Sequence, residues 1–160
     1  MLSKNIMDPE KSILSNAETS GRHSILLSAL RASDLDDVLD YEGQFTLFAP
    51  SNLAFEKLSQ LTIKRLMDPK NKKELFGVLS GHIIAGKLSA SAILRSMCSG
   101  SGKASFTTIQ GEKITATMQG LDIILTDKYG NMAKIMSADA NQSNGVIHEV
   151  DSVFIPATSL

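Results

Sequence analysis

Tryptophan is missing from this chain, and tyrosine occurs only twice. With six phenylalanines, aromatics make up 5% of the residues. That is thin for a platform that stacks carbohydrate or for an aromatic cage. There is a single cysteine, Cys98, so no intrachain disulfide can form and packing alone must hold the fold in either redox compartment. Neither sign of charge dominates: 16 basic and 17 acidic side chains leave a formal net charge of −1. Nothing in that balance points to electrostatic capture of nucleic acid. No apolar run approaches the roughly 18 residues that a membrane-spanning helix needs.

Local signatures of chemistry are also absent. The histidines, His23, His82 and His148, share no helical or hairpin spacing with one another or with Cys98, as a metal site built from neighbours would require. No Gly-x-Ser-x-Gly elbow marks a nucleophilic serine. Ser99-Gly100-Ser101-Gly102 has the wrong glycine spacing for a phosphate loop, no Gly-Lys-Ser or Gly-Lys-Thr follows it, and it reads as a flexible break. Asp36-Asp37 reads as a helix surface. Lys70-Asn71-Lys72-Lys73, the longest basic cluster, reads as a solvated helix start. Cys98, beside Met97, reads as a small buried hydrophobe, with a free thiol that forms an occasional dimer as the alternative. We therefore expect no catalytic, cofactor or metal residues. His23 is expected to be exposed at a helix start, His82 to be a structural hydrogen-bonding group at a helix end, and His148 to be structural or titrating beside Glu149.

What the chain does have is apolar material: 42% hydrophobic residues in 160, enough for one domain with an ordinary core. Its periodicity changes along the length. Residues 1–23 read as a polar arm or short helix, with Ile13 and Leu14 as anchors. From Ser24 a helical face runs through Ile25, Leu26, Ala29 and Leu30. Asp34 can cap a short helix carrying Leu35, Val38 and Leu39, and Thr62 can cap Ile63–Met67. Asp68-Pro69 reads as a cap followed by proline at the first helical position. The helix beyond presents Leu75, Phe76 and Leu79 and ends near Gly81. Ser89 opens another through Ala92, Ile93 and Met97. After residue 104 the period falls to two, giving strands at Phe106–Ile109, Lys113–Met118, Leu121–Thr126 and Met132–Met136. Helices early and strands late make one α+β unit, without the βαβ alternation of a nucleotide-binding fold.

Two segments far apart in sequence carry the most information. In the first, Phe45–Ala49 has the composition of a short buried strand, and Pro50 stops it. Ser51 can accept a hydrogen bond from an exposed amide at the start of a helix, and Asn52 follows it. Leu53, Ala54, Phe55 and Leu58 then give that helix an inward face. Phe48 and Phe55 flank the joint and are expected in the core. In the second, Asn144-Gly145 is a strong turn pair. The strand after it places Val146, His148, Val150, Ser152 and Phe154 on one side and Ile147, Glu149, Asp151, Val153 and Ile155 on the other, ending at Pro156. Apolar groups fall on both sides, so the strand is expected to be covered on both.

These segments, "TLFAPSNLAFEKL" and "NGVIHEVDSVFIP", resemble the two signature segments of the fasciclin domain family. "NKKELFGVLSGHIIAGKL" between them is similar to the family's central helix and histidine, His82. Three segments in order, from about Ser24 to Pro156, are far more specific than any one. The resemblance implies an α+β fasciclin-like fold over residues 24–156, with N-terminal helices packed on a mainly C-terminal β-sandwich or wedge and residues 157–160 as a tail. It implies a non-enzymatic protein-binding or cell-adhesion module with a protein or cell-surface partner. A small-ligand carrier or sensing domain is the alternative, followed by an enzyme whose site is assembled from distant residues. The structural or interaction candidates are Phe48, Pro50, Ser51, Asn52, Phe55, His82, Asn144, Gly145, His148 and Pro156. The chain departs from the family at Gly81, where a tyrosine is usual, and at Ala85, where a proline is usual. An adhesive Tyr-His pair is therefore not carried over. Met1–Pro9 holds no apolar run suited to a signal peptide, which fits a cytoplasmic protein, whereas the resemblance implies an extracellular, periplasmic or surface setting.

Overall fold

The computed structural model describes residues 7–41 and 43–155, so Pro156 lies outside the described residues. Seven α-helices and seven strands are described. The first helices are α1 (Ile13–Ser20), α2 (Ser24–Ala32) and α3 (Leu35–Asp40). Then come strand β1 (Phe45–Pro50), helices α4 (Asn52–Glu56), α5 (Gln60–Met67) and α6 (Lys72–Ser80), strand β2 (Ile83–Ala85) and helix α7 (Ala90–Ser99). Strands β3 (Lys103–Thr107), β4 (Lys113–Gln119), β5 (Asp122–Thr126), β6 (Met132–Gln142) and β7 (Gly145–Val150) complete the chain.

Serines and aspartates set several helix starts. Ser12, Ser51, Ser59 and Ser89 each accept a hydrogen bond from an amide three residues on, which removes an orphan donor of the first turn. Ser59 is thus the cap of α5, one turn earlier than the expected Thr62. Asp68 accepts from the Lys70 amide, and Pro69 opens a 3₁₀ turn over Pro69–Asn71 that leads into α6. Asp34 stands at the cap position of α3 without a side-chain cap bond, and its carboxylate pairs with Lys72 instead.

The strands form one sheet in the order β2-β1-β7-β6-β5-β4-β3. Strands β1 and β7 run parallel and every other pair is antiparallel. The early strand thus inserts beside the last one, as a long-range pairing. Strand β6 is the bend: Met132–Lys134 pair with β5, while Ile135–Gln142 pair with β7 through register shifts, with Asp139 at φ 61°. The folded sheet makes a wedge that nearly closes, because the Ile109 amide after β3 donates to the Ile83 carbonyl of β2 at 2.9 Å.

Alternation along β1 joins two cores. Leu47 and Ala49 face the helices and pack with Leu26, Leu30, Leu79 and Ile147. Phe48 faces into the wedge with Ile93, Ile114, Leu125 and Val150. Strand β7 is covered on both sides, as expected, and only Glu149 of its residues is less than buried.

Several expectations are corrected by the packing. Leu53 points out of α4 and is 73% exposed; Ala54 and Phe55 carry the inward face. Phe76 is also exposed, and Val78 takes its place inside. Cys98 is exposed, because Ile93 and Met97 define the buried side of α7. His23 is buried. The first late strand lies at Lys103–Thr107, earlier than read, and β6 extends six residues beyond Met136 to Gln142. The short-helix reading of the N-terminal region, by contrast, holds over residues 13–20, with Ile13 a fully buried anchor.

Candidate functional site

Asn144 and Gly145 join the two signature segments at one end of β1. The two-residue turn is Ser143-Asn144, so Gln142 pairs with Gly145, one residue earlier than the expected Asn144-Gly145 turn. The Asn144 carbonyl accepts from the Phe45 amide at 2.9 Å. Its side-chain oxygen accepts from the Ile13 amide and its side-chain NH2 donates to the Leu39 carbonyl, both at 2.9 Å. One residue therefore ties α1, α3, β1 and β7 together. Gly145 has φ +151°, and a Cβ there would press into the Phe45 backbone.

At the other end of β1 the segments meet again. Asn52 does there what Asn144 does at the first end. Its amide donates to the Arg22 carbonyl at 2.8 Å, and its side-chain oxygen accepts from the Ile25 amide at 3.0 Å. Its side-chain NH2 reaches the Ser24 hydroxyl at 3.1 Å. The turn between α1 and α2 is thereby fastened to the strand-to-helix joint. The Ser51 amide in turn donates to the Val150 carbonyl at 3.4 Å.

The joint leaves a surface groove of about 520 Å³. One wall is Ser51, Asn52 and Leu53; the opposite wall is Lys134 and Met136 of β6, with Glu149 and Asp151 between them. Leu53 is 73% exposed and Met136 is 55% exposed. Arg22 and Lys57 also line it. Arg22 pairs with Glu149. The Lys57 ammonium donates to the Asp151 carbonyl at 2.6 Å, and the Asp151 carboxylate accepts from the Lys134 amide at 2.8 Å. The anions are thus the more buried and already engaged members, and the cations reach further into solvent.

Behind the Arg22–Glu149 pair lies an inner pocket of about 80 Å³, lined by His23, Ser20, Asn16 and Ser137 among others. His23 Nδ1 lies 3.0 Å from the Ser20 hydroxyl. Ser20 already accepts from the Arg22 amide, so its own proton is free to go to Nδ1. That leaves Nε2 facing the Glu149 carboxylate at 3.5 Å, with no hydrogen-bond partner. Burial, with Arg22 alongside, pushes the His23 pKa down to about 4, so the ring is neutral.

The other histidines are locked by backbone groups. The Phe154 amide donates to His82 Nε2 at 3.0 Å, so the ring proton sits on Nδ1 and is donated to the Val78 carbonyl at 3.0 Å. His82 is therefore a buried structural histidine at the end of α6, held between the Val78 carbonyl and the Phe154 amide. It stacks on Phe154, with ring centroids 5.0 Å apart, and burial lowers its pKa to about 4. His148 has the opposite tautomer. The Asp139 amide donates to Nδ1 at 3.0 Å, and Nε2–H donates to the Leu88 carbonyl at 2.7 Å. Burial pushes its pKa down as well. Both ring nitrogens of both residues are occupied, so neither ring can bind a metal without breaking a backbone bond.

Pro50, Ser51 and Asn52 thus lie at the groove end of the joint, and Asn144 and Gly145 at the opposite end. Phe48, Phe55, His82 and His148 are interior. Sequence reasoning missed Leu53 and Met136 as exposed groups, and Arg22, Lys57 and Lys134 as a cationic rim. Each looks ordinary in sequence and becomes part of one surface only through β6 and β7. Among the described residues, the potential cation ligands that come together are Asp34, Asp36 and Asp37, a surface cluster far from the histidines in sequence. No described helix is long and apolar enough to cross a membrane.

Comparison with known proteins matches residues 21–156 to the family model of the Fasciclin domain. The chain is 33% identical over 156 residues to protein sll1483 of Synechocystis sp. (strain ATCC 27184 / PCC 6803 / Kazusa), covering 98% of this chain and 79% of that protein. It is 30% identical over 144 residues to the uncharacterized protein sll1735 of the same organism, covering 89% and 96%. Among solved structures, a FAS1 domain pair from the insect cell adhesion molecule fasciclin I gives a TM-score of 0.83 at 17% identity. That match covers 94% of this chain and 53% of that one, and the likeness is one of fold.

Proposed function

Because this chain belongs to the fasciclin domain family, we propose that it acts as a non-enzymatic protein-binding module in an extracellular or periplasmic setting. The observation that carries the reading is the groove at the strand-to-helix joint. An isolated exposed leucine is unremarkable, but Leu53 and Met136 face one concavity with a charged rim, the pattern of a docking surface. Ser51 anchors the groove to the second signature segment and Asn52 anchors it to the start of α2, so its shape is set by the fold and a partner need not pay to order it.

The small-ligand reading needs an enclosed, mostly apolar pocket of roughly 300 Å³ or more. The pocket beside His23 is about 80 Å³, too small for such a ligand, and is lined by polar and apolar groups alike, while the larger space is a surface groove. This contrast favours a protein partner.

Affinity capture from the native compartment tests the proposal. Wild-type protein is compared with a Leu53→Ser, Met136→Ser double variant whose fold is checked by circular dichroism. Both substitutions lie on exposed side chains and should leave stability within about 0.5 kcal/mol. Partners held by the wild type should be lost by the variant. Equal retention would remove the groove from the account.

A further inference from the structure

The charge around the groove says what kind of segment fits it. Three cationic side chains border it, Arg22, Lys57 and Lys134, with side-chain exposures of 43%, 57% and 38%. The two carboxylates within it are less accessible: Glu149 is 11% exposed and Asp151 is 31% exposed. Glu149 pairs with Arg22 and faces His23, and Asp151 accepts from the Lys134 amide and lies 3.9 Å from the Lys57 ammonium, in each pair the cation being the more exposed member. Lys134 also comes within 3.9 Å of Asp122, an exposed contact that solvent and salt weaken. An incoming chain therefore meets cations first, on either side of two apolar side chains. One of these, Met136, is unbranched and able to repack around different shapes.

We propose that the groove accepts an extended acidic segment of a partner protein, with one apolar side chain seated between Leu53 and Met136 and carboxylates directed at Arg22, Lys57 and Lys134. The proposal rests on the protein-binding reading above and adds the chemistry of the partner. Carboxylates on both sides of an apolar anchor satisfy the exposed cations without displacing the internal pairs. A basic segment would meet the more exposed cations before the more buried Glu149 and Asp151, which costs affinity and disfavours wrong partners.

The test uses a phage-displayed library of random peptides, panned on the full chain at low and at high salt. Selected peptides are then titrated against the wild type, against a Lys57→Glu, Lys134→Glu double variant, and against Leu53→Ser. Enriched sequences should carry acidic residues flanking an apolar one, and raising the salt should weaken them. The charge-reversed variant should bind them about tenfold or more weakly. Leu53→Ser should weaken them without changing the salt dependence, since it leaves the charges in place. Failure to enrich any peptide, enrichment of basic or uncharged peptides, or equal binding by the charge-reversed variant would overturn the proposal. Self-association of the wild type through this face, seen by sedimentation and lost in the variants, would also overturn it, because the occupant would be a second copy of the chain. The two readings fail separately. If peptide selection fails but native capture still depends on Leu53 and Met136, only the acidic chemistry is wrong. If native capture ignores those residues, the docking surface itself is wrong.

Discussion

Gly145 lies flush against the backbone of Phe45. A Cβ added at Gly145 would sit 2.8 Å from the Phe45 carbonyl carbon and 2.9 Å from its amide nitrogen, and closer still to the carbonyl oxygen. Among the described residues, the only parallel pairing in the sheet begins at this point, so the close approach sets the register of β1 on β7. The φ of +151° adds a second reason for glycine. Gly145→Val should therefore cost about 3 kcal/mol or more, since the obstacle is backbone and cannot rotate away. Urea unfolding measures it. A loss under about 1 kcal/mol would mean that β1 and β7 can separate without penalty.

Phe48 and Phe55 hold the strand-to-helix joint from opposite sides. Phe48 is fully buried in the wedge, stacked on His148 with centroids 5.7 Å apart, and Phe55 is 5% exposed among the helices. Alanine at either position should cost roughly 3–5 kcal/mol. The two lie in different cores, so the losses should be close to additive. Equilibrium denaturation of F48A and F55A checks both statements; small losses in both would mean the joint is packed otherwise.

The histidines make stability depend on pH. His82 and His23 have folded pKa values near 4, against an ordinary value of 6.5. Between those limits the unfolded chain binds protons that the folded chain does not. Their contribution is thus complete above about pH 6.5 and is lost as the pH falls toward 4. Each contributes a slope of at most about 1.4 kcal/mol per pH unit. His82→Gln keeps an amide for hydrogen bonding but cannot titrate, so its stability should fall less steeply over this window than that of the wild type. Urea midpoints across the window decide it, and parallel profiles would contradict it. Nitrogen NMR of the wild type should find the proton of His82 on Nδ1 and that of His148 on Nε2.

Much of the fold was legible because its signals are local. Ser51 and Ser89 cap helices by bonds spanning three residues, and the alternation in β4 depends on nothing distant. Composition marked Phe45–Ala49 as a buried strand, but its parallel pairing with β7 was not legible, because the two segments are far apart in sequence. The orientation of single side chains was less legible. Leu53 looks like a core residue until β1 and β7 are in place and Phe55 has filled the space inside. His23 looks like an exposed helix start; it is buried because Glu149 comes to face it from β7. The groove was hidden for the same reason. Its walls come from the α1–α2 turn, the joint, β6 and β7, and no sequence window holds more than one of them.

The most direct test of the central claim is site-specific photo-crosslinking in the native setting. One photoreactive residue replaces Leu53 in the groove. A second replaces Tyr41, also exposed, which stands with Phe45 at the opposite end of β1. The account predicts a discrete protein adduct from position 53, little from position 41, and loss of the first when Lys57→Glu is added. Equal adducts from both positions, or none from position 53 while the protein still captures partners, would show that this fasciclin domain binds through another surface.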